Sequence, residues 1–481
     1  MSSSIAQSAI ANLKEASLED VLYIPSQQTY DAREGSYWSL TPRLSPWAIV
    51  QPRNAEEVSK AIKALVKTDG CKFAIRSGGH MSWNGAGNNI EEGVTIDLGL
   101  MAKTTYNPET KLASLQPGGR WTNVYADVEK HGVMVAGGRE GLVGVGGLLT
   151  GGGLTFFTCR DGWGCDQVVN YEVVLADGSI VEANDTMNPD LFRVLKGGHN
   201  NFGIVTRFDM KIFAAKNVWD GSIVHSKAVT NEVIEAYVDF QTKLVDSPDS
   251  HVLAMWVYMP QTPEYFINVV VTSLDGVENT KPFQKLLTVP GQQNITSKTI
   301  ASKVAEFLVP SGRFDSWLTV TFELDERIIK KAAVLFEGLM EELRKSIPDS
   351  NFSISMVFQP LLASWTQHSV AKGGNMLGLE RIPENCVILI VAVEVETFEL
   401  STKVSTPALK AMFSEIGSYA TSLEKNVDFL YLNYCGDSQD PLSTYGEENL
   451  KKMREASAKY DPTGVFQERV PGGFKISKVK I

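Results

Sequence analysis

The stretch Gly137-Gly-Arg-Glu-Gly-Leu-Val-Gly-Val-Gly-Gly-Leu-Leu-Thr-Gly-Gly-Gly153 holds nine glycines in 17 positions. Glycine costs roughly 0.5–1 kcal/mol in regular structure relative to alanine, so this density needs a backbone reason. Close approach of main-chain N–H groups to an anionic ligand, such as a pyrophosphate, supplies one. A flexible linker would be polar, whereas Leu142, Val143, Val145, Leu148, Leu149, Leu154, Phe156 and Phe157 punctuate this segment and its flank. The cradle is not a standard one. Gly144-Val-Gly146-Gly147-Leu-Leu149 breaks GxGxxG at its last position, and no GK[ST] follows any glycine, so dinucleotide-fold and P-loop readings both fail. Gly141 to Cys159 is 19 residues without a charge, but seven are Gly and three are Thr. That composition suits a backbone-rich loop and not a lipid-facing helix.

Around this segment lies a chain of globular proportions: 481 residues, 43% hydrophobic and 21% charged, a length that suggests two to four domains. Lys+Arg 45 against Asp+Glu 56 leaves a net charge of −11, which argues against a nucleic-acid partner. Five cysteines without a CxxC pair give neither a zinc ribbon nor a disulfide framework, and no metal-ligand spacing stands out. The N-terminus lacks a basic stretch followed by an apolar one, so an intracellular protein without a membrane anchor is expected. The sequons at Asn184, Asn294 and Asn351 then read as chance. No internal repeat is apparent.

The first half alternates strands and helices. Trp47–Val50 is a short strand, and Asn54-x-x-Glu57 starts a helix whose Val58, Ile62, Leu65 and Val66 recur at helical spacing. Phe73–Ile75 is a strand entering Arg76-Ser77-Gly78-Gly79-His80, a turn that exposes amides beside a guanidinium. A strand at Val94–Leu98, a helix at Thr122–His131 and strands at Tyr171–Leu175 and Ile204–Phe208 complete this half. Lys196-Gly-Gly-His199 forms a third glycine turn, which alone reads as a plain helix–turn–strand. From about residue 211, long helices (about 229–246, 326–346 and 403–420) alternate with apolar strands (251–259, 265–272 and 386–393), arguing for a mixed sheet with helices on one side. A strand at Phe429–Tyr434 follows, then a helix at about 446–459. Alternation on that strand puts Tyr431 and Asn433 on one face and Tyr434 on the other. Taken alone, Tyr434 is a core tyrosine with a satisfied hydroxyl.

Arg76-Ser-Gly-Gly-His80, Val143-Gly-Val-Gly-Gly147, Gly151-Gly-Gly153, Asn201-Phe-Gly-Ile-Val205, Tyr431-Leu-Asn-Tyr434 and Tyr460-Asp-Pro…Phe466 recur in this order in one family. Together they resemble the berberine-bridge-enzyme-like flavin oxidases of the vanillyl-alcohol-oxidase/p-cresol-methylhydroxylase group, over residues 40–470. The resemblance implies an α+β, two-domain FAD-binding fold of the p-cresol-methylhydroxylase type: an FAD domain over 1–210, a mixed-sheet substrate domain over 211–430, and a segment 431–481 returning to the FAD domain. It implies that His80 bonds covalently to FAD and that Arg76, Ser77, Gly78 and Gly79 form the pyrophosphate loop. Gly144, Val145, Gly146, Gly147, Gly152 and Gly153 would form a second cradle, Ile204 and Val205 the adenine-side strand. Tyr434 would be the catalytic base and Asn433 a neighbour of the flavin.

One departure stands out. Many relatives carry a second flavin tether, a cysteine, where this chain has Glu140, so attachment through His80 alone is expected. Glu140 either faces the cofactor with a raised pKa or points to solvent. A free tyrosine, with pKa near ~10, is a poor base at neutral pH, so Tyr434 needs a cationic neighbour; Arg381, Lys372 and His225 are candidates. Glu394 and Glu396 are rival bases, unless they form an exposed strand face. The resemblance implies an oxidase acting on a small organic metabolite with O2 as acceptor, in natural-product tailoring. Flavin-dependent cyclisation is the alternative, and a flavin-binding scaffold without turnover a third reading. Oligosaccharide oxidation fits less well, because those relatives are commonly secreted and bicovalent.

Overall fold

The computed structural model describes residues 4–83 and 88–479. Near the N-terminus, Asn54 caps the helix Ala55–Lys67 by accepting from the Glu57 N–H. Glu57 reaches back to the N–H of Arg53 and not to that of Asn54, closing a box shifted by one residue. This helix buries Val58, Ala61, Ile62 and Leu65 against a four-stranded sheet ordered Leu22–Tyr23, Ala48–Val50, Val94–Asp97, Phe73–Arg76. The last three strands run parallel. They are almost wholly buried, as parallel strands between covering layers must be. Val465, Phe466 and Val470 from the far end of the chain join this core. A five-stranded antiparallel sheet follows, ordered Thr104–Asn107, Leu112–Leu115, Ile204–Lys211, Val168–Val174, Ile180–Asn184.

Residues 218–395 build a seven-stranded sheet ordered Gln292–Lys298, Val218–Ser226, Phe266–Ser273, Ser250–Tyr258, Phe352–Leu361, Cys386–Val395, Phe314–Glu323. Every neighbouring pair is antiparallel, where a mixed sheet was expected. The reason lies in two split crossovers. Strand Val218–Ser226 leads through the helix Thr230–Lys243 to Ser250–Tyr258, and the next strand, Phe266–Ser273, fills the gap between them. Strand Phe314–Glu323, helix Glu326–Ser346, strand Phe352–Leu361 and the filler Cys386–Val395 repeat the arrangement. Each helix returns the chain in parallel, but the filler strand separates the parallel pair. The repeat is structural and left no trace in the sequence.

Helices cover one face of this sheet, where Trp256, Ile267, Val269, Met356, Phe358, Leu389 and Val391 are buried. Period-two alternation turns Leu253, Met255, Val257, Val357, Ile390 and Ala392 to the opposite face. That face lines the large cavity described below. Among the described residues, no helix is long and apolar enough to cross a membrane.

Candidate active site

The strand Phe73–Arg76 delivers the turn Ser77–His80 to the glycine-rich segment. A Cβ on Gly144 would stand 2.5–2.6 Å from the Gly78 backbone, and one on Gly78 just as close to Gly144. Only glycine at both positions lets the two turns touch. Ser77 Oγ donates to the Pro117 carbonyl and accepts from the Gly146 N–H at 3.2 Å, bracing the junction. The result is a backbone-rich wall on one side of a cavity of about 570 Å³, whose opposite side is the open face of the seven-stranded sheet. Such a volume is typical of ligand sites, ~300–1,000 Å³.

Of the residues singled out from the sequence, Ser77, Gly78, Gly79, His80, Glu140, Gly144, Gly146, Gly147, Ile204, Val205, Asn433 and Tyr434 line this cavity. The third glycine turn also reaches it, through His199 and Asn200.

Arg76, Val145, Gly152 and Gly153 correct the expectation. Ile75 faces the cavity, so alternation sends Arg76 to the other side of its strand. There Arg76 is fully buried, donating to the Arg33 carbonyl and Ser36 Oγ, both at 2.8 Å. It lies 3.4 Å from the buried Asp97 carboxylate, and its guanidinium sits 3.6 Å from the Tyr37 ring centroid. This is a scaffold site, not a phosphate site. Asp97 is also held by Arg33 at 2.8 Å, so it stays paired without Arg76, and the loss is that of buried hydrogen bonds from a charged donor, about 1.5–3 kcal/mol. Arg76→Ala should therefore lower global stability in denaturant by that amount, and loss of flavin affinity without destabilisation would refute this assignment. Val145 starts the helix Val145–Thr150 and turns into the core. Gly152 and Gly153 adopt φ of +111° and +88° to shape a buried turn, and the Gly153 N–H donates to the Tyr431 hydroxyl at 3.1 Å.

The His80 ring stacks on Trp38, centroids 4.4 Å apart and planes within 10°. Its Nε2 is buried without a hydrogen-bond partner and stands 3.6 Å from Glu140 Oε2. Burial, reinforced by the Arg120 charge, pushes His80 down to about 3, so the imidazole is neutral. Glu140 does not point to solvent. Its Oε2 accepts from the Leu142 and Val143 N–H groups, both at 2.8 Å, and Oε1 from the Val309 N–H at 3.1 Å. Burial raises its pKa against the pull of those three amides and Arg120. With a neutral histidine opposite, the Glu140–His80 contact is not an ion pair.

The segment before Tyr434 does not end as a strand. It closes in a 3₁₀ turn, Leu432–Tyr434, which brings Tyr431, Asn433 and Tyr434 together at one cavity wall and removes the expected separation. Tyr431 is the buried, satisfied tyrosine here: its hydroxyl also accepts from the Leu154 N–H at 2.8 Å and from Asn433 Nδ2 at 3.0 Å.

Tyr434 Oη accepts from Arg139 Nη2 at 2.9 Å and Gln359 Nε2 at 3.1 Å. The cationic neighbour is thus Arg139. Arg381 donates to the Thr444 carbonyl, Lys372 to the Asp161 carbonyl, and His225 Nδ1 pairs with the Pro290 carbonyl. Arg139 is itself held by Gln359 Oε1 at 2.5 Å and His251 Nε2 at 3.0 Å. A guanidinium only donates, so His251 accepts at Nε2 and carries its proton on Nδ1. Burial, with Arg139 and Lys303 nearby, holds His251 far below the usual histidine range and so neutral. The signal for Arg139 was present: Arg139 and Glu140 are the only charges between Gly132 and Cys159. Nothing local marked Gln359 or Trp38. Of the rival acids, Glu394 lines the cavity, while Glu396 lies beyond the strand end, exposed and paired with Arg313 at 3.3 Å.

Residues 46–184 match an FAD-binding-domain family. The chain is 36% identical over 475 residues to the FAD-dependent monooxygenase drtC of Aspergillus calidoustus, covering 98% of this chain and 90% of that protein. It is 30% identical over 465 residues to the bifunctional solanapyrone synthase of Alternaria solani, covering 96% and 88%. Among solved structures, BBE-like 1 of Physcomitrella patens aligns with a TM-score of 0.76 at 18% identity, over 95% of this chain and 98% of that one. Xylooligosaccharide oxidase from Myceliophthora thermophila C1 aligns with a TM-score of 0.76 at 20% identity, over 98% and 100%. These likenesses establish the vanillyl-alcohol-oxidase/p-cresol-methylhydroxylase fold. The residues present fit FAD. The glycine contact leaves bare backbone facing the cavity, and His80, whose buried Nε2 has no hydrogen-bond partner, lines this space of ligand size. The chain belongs to the FAD-linked oxidoreductases.

Proposed function

We propose that the protein is an oxidase that removes a hydride from an alcohol or activated C–H of a small organic metabolite, with O2 as electron acceptor, in a natural-product tailoring step. The observation that carries this reading is the Tyr434 hydroxyl on the cavity wall, held by a cation and an amide at 2.9 and 3.1 Å. In this reading residues 1–210 and 431–481 form the FAD domain and 211–430 the substrate domain. The bonds of Gln467 and Lys475 to Asn201 and Asn200 support that grouping.

Bound FAD supplies the hydride acceptor. Loss of a hydride from an alcohol or a C–H beside a heteroatom also releases a proton, which needs a base within hydrogen-bond reach. Tyr434 Oη takes that proton, while Arg139 and Gln359 stabilise negative charge on Oη and aim it into the cavity. His251, neutral, fixes Arg139 without competing for its charge. Ser77, Gly78, Gly79, Gly144, Gly146 and Gly147 hold the pyrophosphate, Ile204 and Val205 flank the adenine side, and Asn433 borders the flavin. His80 carries the flavin covalently and alone, because Glu140 stands where a cysteine would form a second tether.

The apolar sheet face favours a hydrophobic metabolite over an oligosaccharide. Relatives named monooxygenase and synthase mark the competing chemistries, oxygen insertion and cyclisation. Product mass and peroxide separate them on one substrate. Loss of two hydrogens with stoichiometric peroxide supports an oxidase, gain of one oxygen a monooxygenase, and an unchanged mass without peroxide a redox-neutral cyclase.

A further inference from the structure

The cavity that holds Tyr434 extends along the open face of the seven-stranded sheet to Glu394. Glu394 pairs in register with Ser353, and Gln359, which binds Tyr434, lies six residues along the same strand. At about 3.3 Å per residue, the two ends are roughly 20 Å apart. Val357, Ile390, Met255 and Ala392 line the path between them. Glu394 therefore cannot act on the carbon that Tyr434 serves, since a base needs direct hydrogen-bond reach.

Among the described residues, nothing hydrogen-bonds to the Glu394 carboxyl. Burial raises its pKa, opposed only by the Arg313 charge. Asp315, in register with Glu394 on the neighbouring strand, is buried, bonded to Ser39 and itself pushed well above the usual carboxyl range by burial and the Glu394 charge, yet no hydrogen bond joins the two carboxyls among the described residues. An unpartnered carboxyl in an apolar cavity is costly unless something donates to it.

Resting on the oxidase reading above, we propose that Glu394 is a distal recognition residue. It selects an elongated, largely apolar substrate whose end remote from the oxidised carbon donates a hydrogen bond. A hydroxyl and an ammonium share this chemistry.

The test titrates the flavin-loaded enzyme with dodecanol, dodecanediol and aminododecanol, following perturbation of the flavin absorbance. Dodecanediol or aminododecanol should bind about tenfold tighter than dodecanol, the size of one hydrogen bond to a buried carboxyl. In Glu394→Leu that preference should vanish while dodecanol affinity is kept. The nearly isosteric Glu394→Gln separates the two sources: it retains a preference for a hydroxyl and loses one for an ammonium. Equal affinity of all three probes for the parent enzyme, or a preference that survives Glu394→Leu, would overturn the proposal. Failure of the oxidase reading shows differently, as absent peroxide with probe preferences intact.

Discussion

Replacing His80 by alanine should turn a flavin that stays with acid-precipitated protein into one that acid extracts completely. The imidazole is neutral, so one of its two ring nitrogens carries a lone pair, and stacking on Trp38 fixes the ring's orientation, the two requirements of a nucleophile that forms a permanent bond. The backbone wall built by Gly78 and Gly144 does not depend on this side chain, so His80→Ala should still fold and bind FAD reversibly. Peptide mapping of the parent enzyme should find one flavin-bearing peptide, the one containing His80. Full extraction of flavin from the parent enzyme would defeat the covalent assignment. A second labelled peptide would defeat the role given to Glu140, whose carboxylate is occupied by three backbone amides.

Tyr434→Phe should slow bleaching of the flavin by substrate by about 10²–10⁴-fold, the usual range for a general acid–base group. The substitution deletes only the hydroxyl, and the ring keeps its edge contact with Tyr431, centroids 4.8 Å apart. Flavin content and thermal stability should therefore stay near those of the parent. Arg139 loses one acceptor but keeps Gln359 and His251, so its charge is not left unpartnered. Bleaching at the parent rate would remove Tyr434 from the chemistry. Glu394 could not replace it from roughly 20 Å along the sheet.

Local features were legible without coordinates. The helices Ala55–Lys67 and Glu326–Ser346 follow from apolar spacing near 3.6. The glycine turns follow from residues that alone permit close backbone approach. His80 and Glu140 are singled out by the family resemblance, and both line the cavity. Tertiary structure decided which way side chains point and which distant segments meet. Arg76 belongs to a glycine turn in the sequence, yet strand alternation buries it against Asp97. Tyr434 reaches the cavity because a 3₁₀ turn, not a strand, ends its segment. Arg139 meets it across 295 residues of chain, a contact set by how the glycine-rich loop packs on the sheet. Glu394 and Glu396 look alike in sequence, and only the end of the strand at Val395 puts one in the cavity and the other outside. Short-range sterics and periodicity act within a few residues and are written in their order. Register, crossover and loop packing join residues far apart, and the free energy that selects them comes from burial over the whole chain.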